Sequence, residues 1–329
     1  MYKQLTSEQR SQIFVLLQNK TAKKEIAQLV GCSQSTLSRE LKRNSTEKGN
    51  YLWAKAHKKA MERRKRTTTN SAKDPAILWE ALDLLKEEDW SPQQISAYMK
   101  NRGKAISHEL IYRYIRADET GKLSSHCRHK MKYNRHGRPD RTTKVRNIPD
   151  RISIHQRPAE ADGTRFGDWE MDTIVGKDGK GAIVTLTERS TNMILMERLP
   201  NGKHPEPLAN VVIRLLFPYR HTVRSITTDN GSEFCAHKLI SKALAPKGTK
   251  NPNIVFFADS YSSWQKGAIE NTNKLIRQYI PKGTDFSTLT DSFIRKIQHK
   301  LNRRPRKKLN FESPKKVFFQ QIANFAVAS

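Results

Sequence analysis

Residues 167–176 read GDWEMDTIVG, placing Asp168, Glu170 and Asp172 at every second position ahead of an apolar run. In an extended strand residues two apart share a face, so the three carboxylates cluster while Trp169, Met171 and Thr173 pack on the other side. Neighbouring like charges repel, which leaves such a cluster two settings: a solvated edge, or coordination to divalent cations. Two further acids bear on that choice. Asp229, in TTDNGSEF, stands where an apolar strand gives way to a turn, so its carboxylate points outward from a fixed backbone. Glu270 lies in the first turns of a predicted helix after YSSWQKGA, with Lys274 and Arg277 four and seven residues further on the same face. An acid backed by two bases suits a metal ligand beside a phosphate track.

The elements that must position these acids follow from pattern. After the first strand, GAIVTLTERS and NMILMERL read as a hairpin, and HPEPLANVVIRLLF is a helix with Leu208, Val211, Val212, Leu215 and Leu216 on one face. A short strand ends at Asp229; a helix, the strand NIVFFADS and a helix from SWQKGAIENTNKLIRQYI complete the order. Three strands, helix, strand, helix, strand, helix is a mixed α/β order, and it resembles that of ribonuclease-H-like domains.

The first half is helical. In TSEQRSQIFVLLQNK, Thr6 and Gln9 stand at capping-box spacing before a helix over about residues 7–19. In KKEIAQLVGCSQSTLSREL, Ala27, Gly31 and Leu37 carry the helix-turn-helix pattern: a small residue where helices touch, a glycine in the turn and an apolar anchor. A plain helical hairpin shares that spacing. The next helix, about 33–42, exposes Gln34, Ser35 and Arg39, side chains that reach base edges and phosphates, and these are the expected DNA contacts there. SPQQISAYM and ISHELIYRYI form a second such pair, with Ser91 capping, Pro92 opening the helix and Ile111 and Ile115 inward. The basic stretch 57–66 is expected to track backbone.

Charge names the class of partner. The 329 residues hold 61 Lys and Arg against 32 Asp and Glu, a formal net charge of +29. A polyanion is implied, and nucleic acid rather than a membrane, since no apolar run approaches the ~20 residues that span a bilayer. A cytoplasmic, nucleoid-associated bacterial protein is expected, with Cys32, Cys127 and Cys235 as reduced thiols. Over 120–157 basic residues outnumber Asp140 and Asp150 eleven to two. That segment reads as an extended linker, and its Cys127, His129 and His136 lack a fourth zinc ligand at usual spacing.

The motifs GDWEMDTIVG, TTDNGSEF and WQKGAIENTNKLIRQYIPKGTDF, with LNRRPRKKLNFESP, RELKRN and IPDRISIHQRPAE, resemble the IS-thirty family of insertion-sequence transposases. That family belongs to the DDE transposase and retroviral-integrase superfamily, and the likeness runs over almost the whole chain. It implies a multidomain fold: an N-terminal all-α helix-turn-helix region, then an α/β ribonuclease-H-like catalytic core with a mixed sheet. The expected boundaries are 1–66 and 67–118 for two helix-turn-helix modules, 119–157 for the linker and 158–329 for the core. Carried over, the family triad falls on Asp172, Asp229 and Glu270, holding two Mg²⁺ ions, with Mn²⁺ as a substitute. Asp172 bridges both ions and the other two acids hold one each, while Asp168 and Glu170 stay solvated or support Asp172 from behind.

The implied activity is binding of double-stranded DNA at the element's terminal inverted repeats, metal-dependent cleavage, and strand transfer into target DNA by a homodimer or higher oligomer. Trp264, Lys266, Lys274 and Arg277 position the DNA end, and Asn230 tightens the turn beside Asp229. A ribonuclease-H-type metal-dependent nuclease is the alternative. Residues 230–269 separate the last two acids, more than is usual in the family, and SKALAPKGTKNPN reads as the insertion. The loop before Glu270 has Ser260 and Ser263 where the family has prolines, and Ile269 where it has Asn. Asp259, at the end of its strand, is therefore a rival third ligand.

Overall fold

Two compact units divide at Asp74 and Pro75 in a computed structural model. It describes residues 4–46, 49–69, 74–128, 130–131, 148–199, 202–245, 253–260 and 262–328. Much of the basic linker, including His129 and His136, and residues 246–252 of the insertion lie outside them.

The first unit is built from α1 (Ser7–Gln18), α2 (Lys23–Leu29), α3 (Gln34–Asn44) and α4 (Trp53–Thr69). Thr6 and Gln9 close the expected capping box, each side chain accepting from the other's backbone N–H at 3.2 and 2.9 Å. Between α2 and α3, Gly31 takes φ +69°, a left-handed conformation that lets the Cys32 N–H reach back to the Ala27 carbonyl at 2.9 Å. Ile13, Ile26, Ala27 and Leu37 then meet in one buried cluster. Beneath it Arg10 Nε donates to Glu40 at 2.7 Å, and the Tyr51 hydroxyl adds a bond to the same carboxylate.

The second unit opens with α5 (Pro75–Glu88), α6 (Pro92–Lys100), α7 (His108–Ala117) and the short α8 (Lys122–Ser125). Ser91 and Gln94 cap α6 reciprocally, and Ile95, Met99, Ile111 and Ile115 form its core with Leu85. These helices are tied to the α/β part of the same unit: Gln94 donates to the Pro305 carbonyl at 2.9 Å and Lys300 to Asp89 at 2.7 Å.

The α/β part carries a five-stranded sheet of order β3-β2-β1-β4-β5. Its strands are β1 (Asp168–Val175), β2 (Ala182–Glu188), β3 (Ile194–Leu199), β4 (Ser225–Thr228) and β5 (Val255–Phe257). The first three form an antiparallel meander, and β4 and β5 run parallel to β1. Helices α9 (Pro205–Leu216) and α10 (His237–Leu244) follow β3 and β4; α11 (Gly267–Ile276), α12 (Asp291–Arg303) and α13 (Pro314–Ala328) follow β5. This is the mixed, ribonuclease-H-like arrangement expected from the order of elements.

Strand alternation divides the sheet's two cores. Trp169 and Met171 of β1 pack with α9, α10 and Phe318 of α13, whereas Ile174 packs with Leu275 and Ile276 of α11 and Ile294, Ile297 and Leu301 of α12. Asp168, Glu170 and Asp172 have the parity of Ile174, so the carboxylates face the α11 layer. The residue just before the strand is Gly167, where a Cβ would meet the Thr222 carbonyl oxygen at 1.8 Å.

Candidate active site

Asp168 and Glu170 are buried rather than solvated. Asp168 takes two bonds from Arg165, at 2.9 and 2.7 Å, and one from the Ser225 hydroxyl. Glu170 accepts from Arg189 Nε at 2.9 Å and from the Ile269 N–H, the first turn of α11, at 2.8 Å. Burial pushes its carboxyl upward against those bonds. A free backbone N–H at a helix N-terminus attracts an anion, so Glu170 fixes the start of α11 to β1.

Asp172 differs, for its counter-charge is not an arginine. Its Oδ2 accepts from Asn273 at 2.8 Å and its Oδ1 from the Thr173 N–H at 2.9 Å, while the Lys266 ammonium stands 3.8 Å away. The same ammonium is 3.1 Å from Asp229 Oδ2, whose other oxygen accepts from the Gly231 N–H at 3.0 Å. Burial pushes the Asp172 carboxyl up to about 6, Lys266 pulling the other way and Asp229 and Glu233 adding to the rise. Strand β1 and the turn after β4 thus bring two of the three sequence-named acids around one cation.

Glu270 is placed by helical spacing. Glu270 and Asn273 lie three apart on one side of α11, with Lys266 at the N-cap one turn before Glu270, and Lys266 and Asn273 both meet Asp172. Glu270 itself is part-exposed. Among the described residues no three Asp, Glu, His or Cys side chains converge closely enough to hold a metal ion. Asp172 and Asp229 meet at Lys266, and Glu270 follows one helical turn after that lysine. Asp259 is turned to His155 and Gln265, each at 2.8 Å.

The donor chemistry fits a hard divalent cation. Carboxylate oxygens are the ligands Mg²⁺ and Mn²⁺ prefer, and the place between Asp172 and Asp229 already draws a positive charge in the form of the Lys266 ammonium.

The expected DNA-contacting side chains fall into different settings. Lys274 and Trp264 are exposed, Trp264 at 74%. Arg277 is half-buried and reaches the Val175, Ile280 and Pro281 carbonyls at 3.3–3.4 Å, and burial holds its guanidinium below the ordinary value. Lys266 is turned inward onto the acids. Asn230 does brace the turn, donating to the Ala258 carbonyl at 2.7 Å and accepting from Arg151. On α3, Gln34, Ser35 and Arg39 are all exposed, with Arg39 folded over Ser35 at 3.1 and 3.2 Å. Arg39, Arg43 and Arg63 line one groove between α3 and α4.

Sequence reasoning passed over Glu233 and Asn273. Glu233 is buried, accepts from the Thr173 hydroxyl at 2.9 Å and from Lys203 at 3.1 Å, and adds a negative charge beside Asp172. It stands inside the quoted TTDNGSEF, but a turn pattern does not tell which acid of the turn points inward. Asn273 was legible as the position three past Glu270.

A helix-turn-helix domain model matches residues 1–44. Over its full length the chain is 39% identical to the transposase of insertion sequence IS4351 from Bacteroides fragilis, covering 99% of that protein. It is 35% identical to the transposase of IS1086 from Cupriavidus metallidurans, over 98% of this chain and 96% of that one. The Escherichia coli transposase InsI of IS30A is 32% identical, over 97% of this chain and 84% of its own. Identity of this extent, through both the helical region and the sheet that carries the acids, makes the chain a member of the insertion-sequence transposases that include the transposase of IS30.

Proposed function

We propose that this protein binds the terminal inverted repeats of an insertion sequence and catalyses metal-dependent cleavage and strand transfer of double-stranded DNA, with Asp172, Asp229 and Glu270 as its metal-holding acids. The observation that carries this reading is the convergence of Asp172 and Asp229, from β1 and the turn after β4, on a single buried positive charge. Two carboxylates so placed need a cation, and Glu270 stands one helical turn from the lysine that now supplies it.

Mg²⁺ or Mn²⁺ bound here would polarise the scissile phosphate and lower the pKa of the attacking water or 3′-hydroxyl. The chain's own residues do the rest. Glu170 anchors the first turn of α11, which carries Glu270, to β1. Asn273 and the Thr173 N–H each hold one oxygen of Asp172, which fixes the direction of its remaining lone pairs. A cation held between Asp172 and Asp229 would take the place of the Lys266 ammonium, which would then be available to a DNA phosphate. Exposed Trp264, just before α11, and exposed Lys274, in its last turn, are suited to a DNA end, while Gln34, Ser35 and Arg39 read sequence from α3. Joining two element ends calls for at least two copies of the chain.

Incubation with Mg²⁺ and duplexes carrying the candidate terminal repeats tests the reading. Joined-end or strand-transfer products are expected; hydrolysis without joining would favour a ribonuclease-H-type nuclease instead.

A further inference from the structure

We propose that Arg128, Arg304 and Arg306 form a receptor for a phosphodiester group of bound DNA, a set of residues separate from the candidate active-site acids. The three lie in the second unit, in the segment after α8 and the turn after α12. Arg304 is 3% exposed, and the Nε atoms of Arg304 and Arg306 are both shielded from solvent without a hydrogen-bond partner among the described residues. The remaining bonds of Arg304 go to neutral acceptors: Gln278 Oε1 at 3.3 Å, the Asp89 carbonyl at 2.9 Å and the Tyr279 hydroxyl at 2.8 Å. Arg306 reaches the Leu301 carbonyl at 3.1 Å.

The carboxylate in this region is already engaged. Asp89 accepts from Lys300 at 2.7 Å and pairs with His126 Nδ1 at 2.9 Å, so it leaves the guanidiniums without a carboxylate among the described residues. Their mutual repulsion is felt: burial, then the charges of Arg304 and Arg128, push Arg306 down to about 9, and burial with Arg304 holds Arg128 below its ordinary value. Buried cations with open donors are costly until an anion fills them.

A space for that anion exists. A cavity of about 220 Å³ adjoins the cluster; Arg128, Arg304, His126, Gln94 and the already paired Asp89 are among the residues that line it, and Arg306 is not. That exceeds the ~30 Å³ of one water several-fold and admits a phosphate group. Arg128 is the most exposed of the three, and a planar guanidinium matches phosphate oxygens in pairs. A chain of net charge +29 with a helix-turn-helix domain meets such groups chiefly on DNA. The identity of the anion as DNA rests on the proposed transposition reading; the anion site does not.

The test uses full-length protein with Arg128→Gln and Arg306→Gln. One arm compares the thermal midpoint in inorganic phosphate and in chloride at equal ionic strength. The other measures log affinity against log salt for a short duplex of arbitrary sequence. Phosphate should raise the midpoint of the unsubstituted protein, each variant should lose that rise, and each should flatten the salt slope by about 0.9, the share of one phosphate contact. Should Arg306→Gln unfold, the exposed Arg128→Gln decides alone. Phosphate protection with unchanged slopes would overturn the DNA assignment, and loss of neither effect would overturn the site. Flattened slopes in a protein that never joins DNA ends would support the site while sinking the transposition reading.

Discussion

Asp172 shares its face of β1 with two acids that are each matched to an arginine, whereas its own counter-charge is the ammonium of Lys266. That difference has a measurable consequence. A carboxyl whose pKa rises from 3.8 to about 6 on folding favours the folded state below the unfolded value, and this contribution is lost as pH rises through the folded value. Asp172→Asn has no charge to bury, so above pH ~6 it should stabilise the protein by roughly 1–3 kcal/mol, read as a higher thermal midpoint at pH 7.5. The advantage should shrink toward pH ~4. A midpoint at pH 7.5 that is unchanged or lower would show that Lys266 already compensates the carboxylate in full. The alternation in GDWEMDTIVG made the shared face legible but could not rank the three acids. Their ranking depends on partners: Arg189 comes from the far side of a hairpin, and Lys266 is turned inward from the short 3₁₀ turn Ser263–Lys266.

Helix α11 is held in place through its first turn, where Glu170 links the Ile269 N–H to Arg189. Removing one partner of a buried ion pair leaves the other charge uncompensated, at a cost of about 3–5 kcal/mol. Arg189→Ala should therefore lower the denaturant midpoint steeply and weaken joining by displacing Glu270; a loss below ~1 kcal/mol would mean that α11 has other anchors. Helix α3 makes a separate prediction. Arg39→Ala should weaken binding to the terminal repeat by about 1–3 kcal/mol while single-turnover chemistry at saturating protein stays intact. Unchanged affinity in a titration would remove Arg39 from the reading surface. Helix α3 was legible from its spacing, and α1 and α6 from their caps Thr6 and Ser91, whereas α11 carries no side-chain cap and was legible from its pattern alone. The inward turn of Lys266 and Arg277 was not, because a basic side chain on a part-buried helix can reach either solvent or a carbonyl.

At the scale of the whole chain, the first unit carries its own apolar cluster and a buried Arg10–Glu40 pair, so a fragment of residues 1–74 should unfold cooperatively by itself and bind DNA. A broad, non-cooperative melt would contradict that independence. The order of strands and helices was readable because each element carries its own period, and the mixed sheet followed from that order. Less readable was the joining of α5–α7 to the α/β part in one compact unit, which depends on long-range ties such as Lys300 to Asp89 and Arg303 to Glu88. Pairs more than 200 positions apart leave no local signal.

The central claim is that Asp172, Asp229 and Glu270 act together on DNA, and Asp229→Asn tests it most directly because this carboxylate is part-exposed and its loss leaves the buried pairs of β1 untouched. Cleavage, strand transfer and end binding should be measured side by side on duplexes carrying the terminal repeats in Mg²⁺. Cleaved and joined products should disappear while affinity for the ends stays within about twofold, the scatter of contacts made elsewhere. Joined product formed by Asp229→Asn at the rate of the unsubstituted protein would contradict that claim.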